Sequence, residues 1–203
     1  MLPRVTLRVT AAATLLASCT ATPTTPLASS AALDAARSAG PALAKAAAAP
    51  RQLRTTLHSA SGAEIGFAQL SSDGTGRVHI TVHASGLTPG LHGIHLHAVG
   101  SCVLGTTPSF SSAGGHYNPT SKEHGFHNPA GYHAGDLPNL VVNPAGVGQL
   151  TEKLEQFQLD ALLDADGTAL VIHEREDDLT TNAGPLGPGN SGARLACGVL
   201  EAK

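Results

Sequence analysis

The chain has 203 residues, enough for one folded domain of ordinary size and an additional tail. It contains 23 glycines and 13 prolines, no tryptophan and only 13% charged residues, a composition that favours a loop-rich all-β protein over a helical one. The formal net charge of −3 gives no basic surface of the kind that binds nucleic acid or anionic membranes, so neither is expected as a partner.

The N-terminus has the features of an export signal. Arg4 and Arg8 precede an apolar run, Val9–Ala17, which is too short to span a bilayer. The run continues into Ser18 and Cys19 and resembles the lipidation site of bacterial lipoproteins; a plain secretory signal cut near the same point is the alternative. Residues 1–19 are therefore predicted to be a signal peptide. The mature protein is expected in the periplasm or cell envelope, touching membrane only through a lipid on Cys19.

The next segment, residues 20–50, is rich in Ala, Thr, Pro and Ser and has almost no large apolar side chains. Such a segment cannot bury enough surface to fold, so it is predicted to be a tether, with the folded domain spanning residues 51–203. Within that domain, Cys102 and Cys197 form an even pair in an oxidising compartment, which predicts a disulfide. Closing so long a loop would stabilise the fold by about 4–5 kcal/mol in the chain-entropy model. Two buried free thiols are the alternative.

The domain begins with apolar and polar residues in alternation, and turn residues separate the segments that follow. About eight short strands joined by turns predict an antiparallel sandwich or barrel. The short apolar or alternating segments, in chain order, are residues 53–58, 65–69, 78–83, 90–97, 140–142, 147–150, 159–163, 168–173 and 194–200.

Seven of the eleven histidines fall within Gly90–Asp136. His95 and His97 are two residues apart on a predicted strand, so their side chains project from the same face. Imidazoles suit copper, zinc or iron, and a pair alone does not select the metal. The remaining histidines lie in a loop rich in Gly, Pro and Asn, and a long irregular loop in a compact domain needs something to hold it. The stretch therefore predicts two metals, one on the strand and one in the loop.

Five motifs make residues 55–200 resemble the copper/zinc superoxide dismutases of the exported bacterial kind. They are His92-Gly-Ile-His-Leu-His97, Ala113-Gly-Gly-His-Tyr-Asn-Pro119, His133-Ala-Gly-Asp-Leu-Pro138, Val171-Ile-His-Glu174 and Gly192-Ala-Arg-Leu-Ala-Cys-Gly-Val199. The fold this implies is all-β, an eight-stranded antiparallel Greek-key sandwich or barrel with long metal-binding and electrostatic loops.

The resemblance also implies one copper and one zinc per subunit. Four imidazoles suit a metal that changes oxidation state, whereas three imidazoles and one carboxylate suit a closed tetrahedral zinc site. Asp177 would link ligands of the two sites and fix their ring orientation. The implied copper ligands are His95, His97, His116 and His173, and the implied zinc ligands are the bridging His116, His124, His133 and Asp136.

The activity implied is conversion of superoxide to oxygen and hydrogen peroxide by copper redox cycling, which would protect the cell envelope. Arg194 and His116 would be the catalytic residues, the guanidinium holding superoxide and His116 transferring a proton. One alternative is a non-catalytic copper/zinc carrier on the same fold, although a carrier has no need of Arg194. Another is a zinc hydrolase, for which four histidines around one metal leave no catalytic base.

The chain departs from the family's pattern in the disulfide loop. Animal members have a cysteine where this chain has Phe110, and Cys102 lies earlier in an expanded loop, as in bacterial members. The second loop, Glu174–Gly192, lacks the residues that steer substrate in animal members, so no steering residue beyond Arg194 is predicted. Both monomers and homodimers occur among bacterial members, and the sequence favours neither.

Two histidines of the metal-binding stretch are assigned other roles. His127 is an alternative to His124 as zinc ligand, but His124 has the family's spacing of eight from His116, and His127 is expected to be exposed. His92 resembles a structural histidine that hydrogen-bonds loop backbone.

Overall fold

The computed structural model of the chain describes residues 52–182 and 188–203. The predicted signal peptide, the lipidation at Cys19 and the predicted tether lie outside the described residues. Within the two described segments, no helix is long and apolar enough to cross a membrane.

Ten antiparallel strands make up the fold of the described residues. The strands are β1 (Gln52–Ser59), β2 (Glu64–Ser72), β3 (Val78–Ser85), β4 (Gly90–His92), β5 (Ile94–His97), β6 (Leu140–Val142), β7 (Val147–Leu154), β8 (Ala169–His173), β9 (Arg194–Val199) and β10 (Glu201–Ala202). Short 3₁₀ segments occupy Ser111–Ala113, Leu159–Leu163 and Pro188–Asn190.

The strands form a nearly closed barrel. Their order in the sheet is β4-β6-β7-β3-β2-β1-β9-β8-β5, and β10 pairs with β1 outside this path. The two ends of the order, β4 and β5, are consecutive in the chain and separated only by Gly93. In the sheet, β6 and β7 lie between β3 and β4. The chain segment that connects β3 to β4 is therefore a crossover of the Greek-key type.

The predicted all-β antiparallel fold is confirmed, with three differences in detail. The predicted strand 90–97 is divided at Gly93, and the short β10 was not predicted, which accounts for ten strands where about eight were expected. The apolar segment 159–163 is a 3₁₀ helix that buries Leu159 and Leu162. An apolar run this short does not distinguish strand from helix by its pattern.

The barrel interior is filled by alternate residues of the strands. In β1 the side chains of Leu53, Thr55 and Leu57 are buried and their neighbours are exposed, as the period-two pattern predicted. In β3 the inward residues are Val78, Ile80, Val82 and Ala84. The loop between β5 and β6 carries the histidine-rich region, and Tyr117, Ala134 and Leu137 of that loop pack onto this core.

Candidate metal centre

Two separate parts of the long loop between β5 and β6 form backbone hydrogen bonds with Leu96 of β5. The Tyr117 N–H donates to the Leu96 carbonyl at 2.8 Å, and the Leu96 N–H donates to the Gly135 carbonyl at 2.9 Å. A Cβ atom at position 135 would lie 2.4 Å from the Leu96 carbonyl oxygen, so this approach requires glycine. The histidines that flank these contacts are therefore held next to those of the strand.

Four imidazoles converge on the outer face of β5. His95 and His97 lie on the strand itself, His173 ends the neighbouring strand β8, and His116 comes from the loop, bridged to His97. One ring nitrogen of each lies within 4.8 Å of those of the others. The rings of His95 and His116 stack with their centroids 4.0 Å apart. The structure thus brings together all four predicted copper ligands.

Three ring nitrogens of this group are buried without a hydrogen-bond partner among the described residues. They are Nδ1 of His95, Nε2 of His97 and Nε2 of His173. The other nitrogen of each ring contacts the Asp177 carboxylate in the first case and a backbone carbonyl oxygen in the other two. Buried polar atoms rarely lack partners, because leaving one unsatisfied costs about 1–3 kcal/mol. The three nitrogens have the arrangement expected of metal ligands.

A second group of four residues shares His116. The Nδ1 atoms of His116, His124 and His133 lie 2.8, 3.1 and 3.2 Å from Oδ1 of Asp136. The other carboxylate oxygen accepts hydrogen bonds from the backbone N–H groups of Gly125 and His133, at 2.9 and 3.2 Å. One carboxylate oxygen facing three ring nitrogens gives the donor set of a closed tetrahedral site.

The structure also separates the histidines that the sequence assigned to other roles. His124 is fully buried within the second group, whereas His127 is exposed, so the preference for His124 agrees with the geometry. His92 is buried, with Nδ1 2.7 Å from the His173 carbonyl oxygen and Nε2 2.9 Å from that of Thr88. It contacts loop backbone, as predicted.

Asp177 connects the two groups. Its Oδ2 lies 2.5 Å from Nε2 of His95, and its Oδ1 lies 3.0 Å from Nε2 of His124. Burial alone raises the pKa of Asp177, but the hydrogen bonds from His124 and His95 outweigh it and hold that pKa below its ordinary value. An ionised carboxylate that accepts both Nε2–H groups leaves each Nδ1 free to face its own group.

Arg194 lies at the wall of a cavity of about 380 Å³ that is also lined by His97, His116 and His173 of the four-imidazole group. It is the first residue of β9 and is paired with His173 of β8. Its Nη1 and Nη2 donate to the backbone carbonyls of Phe110 and Gly114, each at 2.6 Å. These carbonyls orient the guanidinium without neutralising it, so the cavity contains a fixed positive charge.

A family model described as copper/zinc superoxide dismutase (SODC) matches residues 62–200. The chain belongs to the copper/zinc superoxide dismutase family. Among its relatives, the superoxide dismutase-like protein YojM of Bacillus subtilis (strain 168) is 43% identical over 145 residues, which cover 68% of this chain and 70% of the relative. Superoxide dismutase (Cu-Zn) 2 of Mesembryanthemum crystallinum is 39% identical over 137 residues, which cover 66% of this chain and 85% of the relative.

Solved structures of the family share the fold of this chain. The Cu/Zn superoxide dismutase from Brucella abortus superposes with a TM-score of 0.62 at 31% sequence identity, covering 74% of this chain and 99% of that one. The resemblance inferred from the sequence motifs is therefore confirmed at the level of family and fold.

The donor sets of this superoxide dismutase family member fit the two metals that the family implies. In the four-imidazole group, burial lowers the pKa values of His95 and His97 well below the ordinary value and that of His173 to about 4. These rings are therefore neutral at pH 7, which is the form that binds a metal. In the second group, burial lowers the pKa of His124, but hydrogen bonds with two carboxylates outweigh it and raise it to about 9, so zinc binding would displace a proton from this ring.

The disulfide between Cys102 and Cys197 is present, with the two Cα atoms 5.7 Å apart. It joins the start of the long loop to β9 and confirms the predicted pairing over two free thiols. Phe110 is buried and packs in one cluster with Val171 and Cys197. The aromatic side chain therefore fills space beside the disulfide.

Two asparagines that contact the centre were missed by the sequence analysis. Oδ1 of Asn182 accepts the backbone N–H of His124 at 2.8 Å, and the Asn139 side chain contacts the backbone of Asp177. Asn182 lies 58 residues from His124, and no local pattern marks it. Asn139 follows Asp136 by three residues, and that proximity was its only signal.

Proposed function

We propose that this chain is a superoxide dismutase that converts superoxide to oxygen and hydrogen peroxide. The observation that most supports the proposal is the four-imidazole group with three unpartnered buried nitrogens, next to the guanidinium of Arg194. A site that only stores a metal needs the imidazoles, but it does not need an oriented cation in a cavity beside them.

The proposal assigns one copper and one zinc to each subunit. Copper, when bound, supplies one-electron redox chemistry, and zinc, which has no redox chemistry, holds the loop. The proposed copper ligands are His95, His97, His116 and His173, and the proposed zinc ligands are His116, His124, His133 and Asp136.

Arg194 binds and orients the anion in this proposal. Its two distal nitrogens each use one N–H on a backbone carbonyl, which leaves further N–H groups to donate to a small oxyanion in the cavity. Because Arg194 is partly buried at the cavity wall, attraction between guanidinium and superoxide is stronger than it would be in bulk solvent. The residue therefore raises the local concentration of substrate.

His116 transfers a proton in this proposal. Dismutation of two superoxide anions consumes two protons, one for each negative charge on the peroxide. Nδ1 of His116 faces the Asp136 carboxylate, so Nε2 is the atom that it offers on the side of the four imidazoles. A proton held at that nitrogen is within the cavity that Arg194 shares, which suits transfer to the nascent peroxide.

The alternative is a non-catalytic copper/zinc carrier on the same fold. The Bacillus subtilis relative is named superoxide dismutase-like, and that name leaves room for a family member with another role. Both readings predict bound metal, so metal content alone does not separate them.

Inhibition of a superoxide-driven dye reduction by the copper- and zinc-loaded protein separates the two functions. We expect the wild type to inhibit, and Arg194→Ala to inhibit at least about tenfold less at unchanged copper content, since steering changes encounter rates by 10–10³. Arg77→Ala is the matched control, because Arg77 is an exposed cation paired with Glu155. If the wild type, fully loaded with copper and zinc, does not inhibit the dye reduction, the carrier function is favoured.

We further propose that the protein is exported and anchored in the cell envelope by a lipid on Cys19. The support is the sequence of residues 1–19 alone. Metabolic labelling with a fatty acid tests this, because the label should appear on the wild type and be absent from Cys19→Ala. A secreted, unlabelled wild type would indicate an ordinary cleaved signal.

A further inference from the structure

Both ends of the Asn139 side-chain amide form hydrogen bonds with the backbone of Asp177. Its Nδ2 donates to the Asp177 carbonyl and its Oδ1 accepts from the Asp177 N–H, both at 2.8 Å. A carbonyl only accepts and an N–H only donates, so this pairing fixes the orientation of the amide. Two bonds to one residue fix both the position and the rotation of its backbone.

The carboxylate of Asp177 has little freedom to move independently of that backbone. A Cβ atom at Gly189 would lie 2.1 Å from Oδ1, and one at Gly93 would lie 3.3 Å from the Asp177 Cβ. Gly189 therefore lies directly against the carboxylate and Gly93 against the Asp177 Cβ, and the Leu179 N–H donates to Oδ1 at 2.6 Å. Any displacement of the Asp177 backbone is transmitted to the carboxylate.

That carboxylate orients one ring in each metal group. It accepts from Nε2 of His95 on one oxygen and from Nε2 of His124 on the other. Asn139 itself lies between Asp136 and strand β6, so its hydrogen bonds to Asp177 join the end of one loop to the start of the other. Asn139, which belongs to neither metal group, thus holds Asp177, the residue that contacts both groups.

We propose that Asn139 is a positioning residue that acts through Asp177 on the copper and zinc sites together. The inference rests on the metal assignment of the proposed function, but not on the activity. When the amide is removed, the Asp177 backbone relaxes, its carboxylate moves, and the rings of His95 and His124 lose their common orienting partner.

The test compares Asn139→Ala with Asn143→Ala. Asn143 is the matched control because its Oδ1 also accepts two backbone N–H groups, those of Ala145 and Val147, in an exposed turn away from the centre. Two quantities are measured: zinc affinity of the metal-free, disulfide-intact protein by competition with a chelator, and the electron paramagnetic resonance spectrum of Cu(II) in the loaded protein.

We expect Asn139→Ala to weaken zinc binding by about tenfold or more, the range seen when a partner of a metal ligand is removed, and to change the Cu(II) spectrum. Asn143→Ala should leave both unchanged. Asn139→Asp is the second variant, since it keeps the acceptor for the Asp177 N–H but places an acceptor-only carboxylate oxygen opposite the Asp177 carbonyl in place of the Nδ2 donor. It should show the same two effects, even if Asn139→Ala fails to fold.

Wild-type zinc affinity together with a wild-type Cu(II) spectrum in either folded Asn139 variant would overturn the inference. Neither measurement depends on turnover. If the wild type binds both metals but does not dismutate superoxide, the proposed activity is wrong. The role of Asn139 is then still decided by the zinc affinity and the Cu(II) spectrum of its variants. If the wild type binds neither metal, both fail together.

Discussion

The guanidinium of Arg194 donates a hydrogen bond to the Phe110 carbonyl at 2.6 Å, and a disulfide fastens the loop that carries Phe110 to the strand that carries Arg194. Cys197 is three residues after Arg194 on β9, and Cys102 lies near the start of the loop. The orientation of the proposed anion-binding cation is therefore coupled to a covalent link that also stabilises the barrel.

Removing the disulfide should lower both stability and activity. In the chain-entropy model, a link across so long a loop contributes about 4 kcal/mol, so Cys102→Ser/Cys197→Ser should unfold at a lower denaturant concentration than the oxidised wild type. Its dismutase activity should also fall, because the carbonyls that orient Arg194 become mobile. Equilibrium unfolding of the metal-free proteins checks the first effect. Reduced wild type is the control, and it should match the double variant; identical unfolding of oxidised wild type and variant would contradict the prediction.

Replacing Arg194 by lysine separates charge from geometry. Lysine keeps the positive charge, but a point charge on a flexible stem cannot donate to two diverging carbonyls as the guanidinium does. We expect the second-order rate constant of Arg194→Lys to fall between those of the wild type and Arg194→Ala. The rate constant of Arg194→Lys should still decrease as ionic strength rises, because the positive charge remains. If the lysine and alanine variants are equal in rate and salt dependence, charge attraction is not how Arg194 acts.

Gly189 should tolerate no side chain. Its φ is +64°, and a Cβ atom would lie 2.1 Å from Oδ1 of Asp177. Gly74→Ala is the matched control, since φ is +81° there and no atom lies within 4 Å of the added carbon. Both variants should lose about 1–2 kcal/mol from backbone strain, but only Gly189→Ala should also lose zinc affinity. Equal zinc affinity of the two variants, measured by chelator competition, would show that the Asp177 carboxylate is not confined as described.

Asp73 gives a pH dependence that is independent of the metals. Hydrogen bonds from the Thr75 side chain and backbone lower its pKa from 3.8 to about 2. Because the folded state holds the ionised form, this contribution to stability is present above about pH 4 and is lost as the pH falls through about 2. Asp73→Asn should therefore be less stable than the wild type at pH 7, with the difference disappearing near pH 2. Denaturant unfolding of the metal-free proteins measures it, and a difference that is constant with pH would refute it.

The strand pattern and the motif residues could be predicted from the sequence. In β1 and β3, one face is buried and the other is solvated, so the alternation of residue types reports directly on burial. The candidate ligands stand in short motifs, and the strand pair His95 and His97 shares a face whatever the rest of the chain does. The disulfide followed from the number of cysteines and the predicted compartment.

Other features depend on contacts that no local pattern encodes. The 3₁₀ helix Leu159–Leu163 buries two leucines three residues apart, a spacing that an isolated five-residue segment does not distinguish from a strand. The interruption at Gly93 arises because its N–H donates to the Arg175 carbonyl in another loop, at 2.7 Å. Asn139 and Asn182 are ordinary loop asparagines in the sequence, and only the fold brings them to the metal centre.

The most direct test follows the decay of a superoxide pulse in the presence of the purified protein. The comparison is between protein loaded with copper and zinc and protein loaded with zinc alone, both with the disulfide intact. We predict that the decay rate rises in proportion to bound copper, with a second-order rate constant approaching the diffusion ceiling of about 10⁸–10⁹ M⁻¹s⁻¹ known for superoxide dismutase. If the copper- and zinc-loaded protein, at full copper occupancy, gives the same decay rate as the protein loaded with zinc alone, the proposed activity is contradicted.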